Sequence, residues 1–396
     1  MDTPRQSRTR TGRHGAAPMP LPDQVALVLQ GGGALGSYQA GVIERLDELD
    51  IEIDWVAGIS IGAINAALIA GNPPELWTEQ LTAFWTLVSS GLPNFCLPEQ
   101  QDIREAAHLM AASAVALWGI PGFFRPNAVP SWWAPAGAAQ ALGYYDTAPL
   151  RETLDSLVDW ERVNFGPMRF SVGAVDIENG NFAYFDNHDP KWRGRIDARH
   201  VMASGALPPG LPPVEIDGRH YWDGGLVSNT PLSHVLDNQE GDMLIFQVDL
   251  FPADGEMPKE MTQVWSRQKD IQYSSRTRQV TDLYLRERRE HHAVRELLKR
   301  LPNDLADTPE ARELAAMVTE SSVNIVHLIY RTRAWEGGAR DFEFSRITML
   351  DHWTQGREAV SAVADKGKHL IAQNIMDGKS ATFDITATGQ IREKQA

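Results

Sequence analysis

Ser60 lies in Gly58-Ile59-Ser60-Ile61-Gly62, a Gly-x-Ser-x-Gly run between a short apolar stretch and an alanine-rich one. That spacing builds a sharp strand-to-helix turn with the serine hydroxyl exposed at a helix N-terminus, where the helix dipole favours developing negative charge. Side chains at either flank of so tight a turn would meet the neighbouring strand and helix, which accounts for Gly58 and Gly62. A serine held this way is a nucleophile for acyl transfer. It needs a base for its proton and N–H donors for the oxyanion that forms on attack. The candidate base is Asp223, followed by Gly224 and Gly225, two glycines that give the carboxylate an unusual backbone path and a close approach. The candidate donors lie in Gly-Gly-Gly-Ala-Leu-Gly, with Gly31, Gly32, Gly33 and Gly36 forming an oxyanion loop.

The same loop has a second reading. Gly31, Gly33 and Gly36 fall at G-x-G-x-x-G spacing after an apolar strand, the fingerprint of a dinucleotide site, and Glu52 and Asp54 lie near the distance of the acidic residue that such a site wants. Against it, the second strand runs into the Ser60 turn, which a dinucleotide site does not require. The oxyanion reading is favoured, and no cofactor or metal is called for.

Taken together, Gly31–Gly36, Gly58–Gly62 and Asp223–Gly225, in that order, resemble the motifs of the patatin-like phospholipases. The proline-rich approach Ala203–Val214 and the Ser228–Pro231 segment after the aspartate also match, so the resemblance spans about Val25 to Pro231. It implies a three-layer α/β fold with a mainly parallel central sheet. It also implies a Ser60–Asp223 dyad without catalytic histidine, and a lipid or other acyl ester as substrate. One departure is Leu35, where the family often carries Arg or Lys, so a positive charge near the oxyanion or a phosphate is lacking. Two rivals remain. A Ser-His-Asp hydrolase would draw on the late histidines His327 or His352, and a non-catalytic lipid-binding protein could retain the fold.

The elements that must hold these residues follow from periodicity. Val25–Gln30 reads as a buried parallel strand, Tyr38–Leu49 as a helix with Val42, Leu46 and Leu49 on one face, and Ile53–Gly58 as a second strand. Ile61–Ala70 reads as a helix closed by Gly71 and Pro73–Pro74. Arg169–Phe185 reads as a hairpin turning at Asn179–Gly180, and Asp242–Phe251 as a further buried strand. Residues 259–318 are charged and helical, Val323–Arg331 reads as one more strand, and the remainder as helix before a polar tail. The expected division is a disordered polar tail over 1–20, a catalytic domain over 21–255, and a mainly helical extension over 256–396.

With 396 residues the chain can bury a large core, and a hydrophobic content of 43% with 22% charged residues is that of a globular protein. A formal net charge of −15 argues against nucleic-acid binding. The single cysteine, Cys96, excludes an intramolecular disulfide, suits a reducing compartment and reads as a small buried side chain. The N-terminal segment lacks the apolar core of a secretory signal, and the longest apolar stretch, Ala106–Phe124, is interrupted by His108 and broken at Pro121. A cytoplasmic location is expected. Trp118, Trp132 and Trp133 in and beyond that stretch suggest peripheral contact with a membrane surface, with core packing as the alternative. Oligomeric state has no signature in the sequence.

Overall fold

The alternation of apolar residues along Val25–Leu29 has somewhere to go on both sides. In the computed structural model, described over residues 21–92, 101–318, 321–333, 336–385 and 390–395, this segment is the central strand β1 (Gln24–Leu29). Val25, Leu27 and Leu29 join one apolar core, while Ala26 and Val28 join a second core on the opposite face. Cys96 and the N-terminal 20 residues lie outside the described residues.

The strands that follow are β2 (Trp55–Gly58), β3 (Arg169–Asp176), β4 (Phe182–Asp186), β5 (Val214–Ile216) and β6 (Arg219–Asp223). The later ones are β7 (Met243–Asp249), β8 (Val323–Ile329), β9 (Ala381–Ile385) and β10 (Ile391–Gln395). They form one ten-stranded sheet in the order β10-β9-β8-β7-β1-β2-β3-β6-β5, with β4 also on β3. From β9 to β3 all neighbours are parallel; β10, β4, β6 and β5 pair antiparallel. Helices α1 (Gly36–Glu48) and α2 (Ile61–Ala70) cover one face. The helix Leu232–Asp237 and Tyr284 of the long helix Met261–Leu298 cover the other, completing three layers.

The expected hairpin is present as β3–β4, with Gly180 at positive φ in its turn. The C-terminal region is mainly helical, and it also extends the sheet. β8 pairs along seven residues with β7, so the sheet runs across the boundary expected at residue 255. The polar tail departs from the sequence reading: it supplies β9 and β10, because Ala381 and Phe383 are buried beside β8. The helix Arg346–Lys366 docks on α1 at a crossing with no room for side chains. A Cβ on Gly41 would overlap the Trp353 carbonyl, and one on Gly356 the Tyr38 carbonyl. Trp353 Nε1 donates to Glu44 at 2.7 Å, and Arg357 pairs with Glu48 at 2.8 Å.

These contacts generate a prediction about the boundary. A chain ending at Asp254 exposes the full edge of β7 and uncovers Val323, Ile325, Val326 and Leu328 partners, each fully buried aliphatic side chain being worth about 1.5–3 kcal/mol. Such a truncation is expected to aggregate on expression. A soluble monomer with a cooperative melt would contradict the single-sheet account.

Candidate active site

β2 ends at Gly58, and the chain turns into α2 within two residues. Ser60 occupies the turn at φ 56°, ψ −121°, a conformation that L-residues rarely adopt and that costs on the order of 1–3 kcal/mol. The turn is jammed between its own helix and β1. A Cβ on Gly58 would overlap the Gly62 carbonyl, and a Cβ on Gly62 would overlap the Leu29 carbonyl. The steric reason for both flanking glycines is thus the one inferred from the motif. The Ser60 N–H donates to Ser204 Oγ at 3.0 Å, and that hydroxyl donates to the Gly173 carbonyl at 2.6 Å.

Sheet topology brings Asp223 to this turn. β4 pairs with Ser171–Val175 on one edge of β3, so β2 (at Arg169–Val172) and β6 (at Ala174–Asp176) must share the other edge. They approach from opposite directions. Gly58 is opposite Val172 and Asp223 is opposite Ala174, leaving only Gly173 between the two strand ends. The Asp223 N–H donates to the Ala206 carbonyl at 3.0 Å, which fixes its backbone. Its Oδ1 accepts the Gly225 N–H at 2.7 Å, and the Ser60 hydroxyl is near enough to influence the ionisation of the carboxyl. The residue is only 2% exposed. Burial pushes the Asp223 carboxyl up to about 6, with the Gly225 amide and the Ser60 hydroxyl pulling weakly the other way.

The glycine loop lies across from the turn. The Gly31 N–H donates to the Asn229 carbonyl at 3.1 Å, and Asn229 Nδ2 donates back to the Gly31 carbonyl at 2.8 Å. A Cβ on Gly31 would overlap the Asn229 side chain and stand 3.0 Å from Ser60 Cβ. Gly33 adopts φ +57°, and the amides of Ala34, Leu35 and Gly36 are taken up by the Asp341, Gly32 and Gly33 carbonyls. Of the four glycines expected to supply donors, Gly31 and Gly36 therefore have their N–H groups engaged. Those of Gly32 and Gly33 make no backbone hydrogen bond among the described residues. Leu35 is fully buried, so the position where a basic residue is often found faces the core.

Several residues around the site escaped the sequence reading. Gln30 Oε1 accepts the Leu250 and Phe251 amides at 2.6 and 3.1 Å, and its Nε2 donates to Thr230 Oγ1 at 3.0 Å. Gln39 Nε2 donates to the Gln30 carbonyl at 2.6 Å, Asn65 Nδ2 donates to Gln39 Oε1 at 2.9 Å, and Trp85 Nε1 donates to Asn65 Oδ1 at 3.1 Å. This satisfied polar chain beneath the glycine loop ties β1, α1 and α2 together. The available signal was polar residues inside apolar runs, Asn65 in Ile61–Ala70 above all.

Neither late histidine partners the site. His327 Nδ1 lies 2.9 Å from Asp384 Oδ1 on β9, and His352 Nε2 lies 3.0 Å from Glu336 Oε1 in the interior. Among the described residues the Asp223 carboxylate accepts the Gly225 amide, and the groups that favour its ionised form are that amide and the Ser60 hydroxyl, with no histidine among them.

The fold thus brings Ser60, on its glycine-flanked turn, next to the buried Asp223 at the C-terminal ends of β2 and β6. Residues 27–236 match the patatin-like phospholipase family, and residues 271–372 match a second family described as patatin phospholipase. The chain belongs to the patatin-like phospholipase family. It is 24% identical over 242 residues to lysophospholipase NTE1 of Kluyveromyces lactis, covering 59% of this chain and 13% of that protein. It is 26% identical over 235 residues to lysophospholipase NTE1 of Pyricularia oryzae, covering 59% of this chain and 12% of that one. The chain thus spans about an eighth of the length of these relatives. Among solved structures, VipD from Legionella pneumophila aligns with 96% of this chain and 70% of its own at 13% identity and a TM-score of 0.37.

The raised Asp223 carboxyl has a consequence for stability whose sign is fixed. Its folded value of about 6 lies above the unfolded value of ~3.9, so the native state favours the protonated form. That contribution is complete below ~3.9 and is lost as pH rises through about 6. Asp223→Asn, which cannot ionise, is therefore expected to gain in melting temperature relative to wild type between pH 5 and pH 8. A difference that is flat or shrinks over that range, followed by calorimetry, would contradict the burial account.

Proposed function

We propose that the chain is a serine lipid acyl hydrolase that cleaves carboxylic esters through a Ser60 acyl-enzyme, with Asp223 as the base. The observation that carries this reading is that the ends of β2 and β6 bring Ser60 beside the buried Asp223 carboxyl, one residue of β3 apart, where desolvation moves its ionisation toward neutrality. A carboxylate of ordinary acidity is a weak base at neutral pH, and one titrating near 6 is better matched to the task while remaining mostly ionised. Ser60 Oγ attacks the ester carbonyl as Asp223 takes its proton, and the Gly32 and Gly33 amides receive the oxyanion. Collapse of the tetrahedral species transfers the proton from Asp223 to the leaving alkoxide. Water, deprotonated by the same carboxylate, then attacks the acyl-enzyme, releases the fatty acid and restores Ser60. The names of the NTE1 relatives support a lysophospholipid as the substrate to try first.

Delivery of such a substrate fits the surface beside the site. Trp118, Trp132 and Trp133 are 74%, 85% and 81% exposed, so the core-packing alternative does not apply to them. From 106 to 145 the only Asp, Glu, Lys or Arg is Arg125. This segment is joined to the site, because the Tyr144 and Tyr145 amides donate to the Gly210 carbonyl at 2.8 and 3.0 Å. The same loop begins at Gly205, where a Cβ would stand 3.9 Å from Ser60 Oγ. No helix among the described residues is long and apolar enough to cross a membrane. We read the segment as a peripheral contact with a lipid surface through exposed indoles.

Two sets of variants test these readings. With a lysophospholipid in mixed micelles, Ser60→Ala is expected to abolish fatty-acid release. Asp223→Asn should lower it by ~10²–10⁴-fold, with wild-type kcat/KM rising through about pH 6 to a plateau. His327→Gln should keep near wild-type rates; a folded His327→Gln or His352→Gln enzyme as inactive as Ser60→Ala would replace the dyad with a triad. For the surface, the triple change Trp118→Ala, Trp132→Ala and Trp133→Ala should weaken sedimentation with phosphatidylcholine vesicles by about tenfold or more, since burying large apolar surface drives such binding. Unchanged sedimentation removes the indoles from the account.

A further inference from the structure

The glycine loop has a weakness that local sequence cannot repair. Gly32, with an N-cap conformation of φ 172°, ψ 20°, is followed by Gly33 at φ +57°, so two successive glycines carry the two unengaged amides. Peptide units between glycines rotate at little steric cost. A small rotation would move either N–H off an oxyanion, whose stabilisation needs donors within about 2.7–3.1 Å. Something outside the loop must hold it.

That support comes from residues 336–345, more than 300 positions further along the chain. The Asp341 carbonyl accepts the Ala34 N–H at 3.0 Å and occupies the space that a Cβ on Gly33 would need. Asp341 is itself gripped. Lys269 Nζ on the long helix Met261–Leu298 donates to both Asp341 carboxylate oxygens at 2.7 Å, and lies 4.8 Å from the centre of the Phe342 ring. One residue along on each side, Asp270 pairs with Arg340, both almost fully buried, and Arg340 Nη1 donates to Thr332 Oγ1 at 2.7 Å. Lys269-Asp270 on the helix thus meets Arg340-Asp341 on the loop with charges matched in both pairs.

We infer that the paired clamp Lys269–Asp341 and Asp270–Arg340 is a positioning device for the oxyanion loop, so that the C-terminal region sets the aim of the Gly32 and Gly33 donors without touching substrate. The inference rests on the acyl-transfer reading above. It gives the C-terminal region a role in the reaction: strain or motion in the long helix reaches the oxyanion through one carbonyl. Lys269 and Asp341 are positioning residues, and their loss acts on the transition state more than on substrate binding.

The test is full-length protein with Lys269→Ala, assayed on a soluble short-chain aryl ester, with rates expressed per site titrated to completion by a fluorophosphonate. The expected result is a kcat about tenfold or more lower, KM within about twofold of wild type, and recovery of most of the rate in Lys269→Arg. This loss is smaller than the ~10²–10³-fold cost of deleting an oxyanion donor outright. Should Lys269→Ala fail to fold, the near-isosteric Asp341→Asn is read instead, with the same loss expected. A kcat per titrated site equal to wild type in the folded variant, or a rise in KM alone, overturns the inference. Wild-type protein that neither hydrolyses the ester nor reacts with the fluorophosphonate overturns the acyl-transfer reading, and this inference with it. An active, titratable wild type separates the two failures.

Discussion

Two strands reach the same edge of β3 from opposite ends and stop on either side of Gly173. The remainder of the site depends on that meeting. β2 delivers Ser60 as the chain turns away into α2, and β6 delivers Asp223 as it turns away through Gly224. Parallel neighbours alone would place strand ends side by side; the antiparallel arrival of β6 puts its C-terminus against that of β2. The gap is filled by close backbone contacts. Ser204 bridges the Ser60 amide to the Gly173 carbonyl, and a Cβ on Gly224 would come within 2.6 Å of that same carbonyl.

Holding this geometry is costly. Ser60 carries a strained backbone, and moving the Asp223 carboxyl from ~3.9 to about 6 corresponds to roughly 3 kcal/mol against the ionised form. These penalties are the size of one or two buried aliphatic side chains. They are offset by a core that leaves β7 buried along its whole length and α2 buried at every position. The C-terminal strands and the helix on α1 belong to that same core, which is why the region beyond residue 255 contributes to the sheet that carries Ser60 and Asp223 rather than standing apart from it.

The legible part of the site was the part written in short spacings. Gly58, Ser60 and Gly62 lie within five residues, and their reason for being there is a local collision. Asp223 and its glycines are likewise contiguous, and the β3–β4 hairpin announces itself at Asn179–Gly180. What stayed hidden depends on partners far apart in the chain. Nothing near Gly31 indicates that Asn229 will take its N–H, and nothing near Gly33 points to Asp341. The four glycines therefore looked equivalent as donors, although two are engaged elsewhere. Strands β9 and β10 were missed because they lie in a polar context, and only the pairing of Ala381–Asp384 with β8 and of β10 with β9 makes strands of them. Gln30, Gln39 and Asn65 gave a weak signal as polar residues in apolar surroundings, but their connection to one another is a tertiary fact.

The central claim is that Ser60 becomes acylated and that Asp223 drives both formation and breakdown of the ester. It is tested most directly by mixing Asp223→Asn and wild-type protein separately with a lysophospholipid bearing an isotopically labelled acyl chain, quenching in acid and mapping the modified peptides by mass spectrometry. The account predicts the labelled acyl group on Ser60 in the wild type within the first turnovers, with much slower appearance in the variant. Fatty acid released by the wild type with the label on a different side chain, or variant protein acylating Ser60 at the wild-type rate, would contradict it.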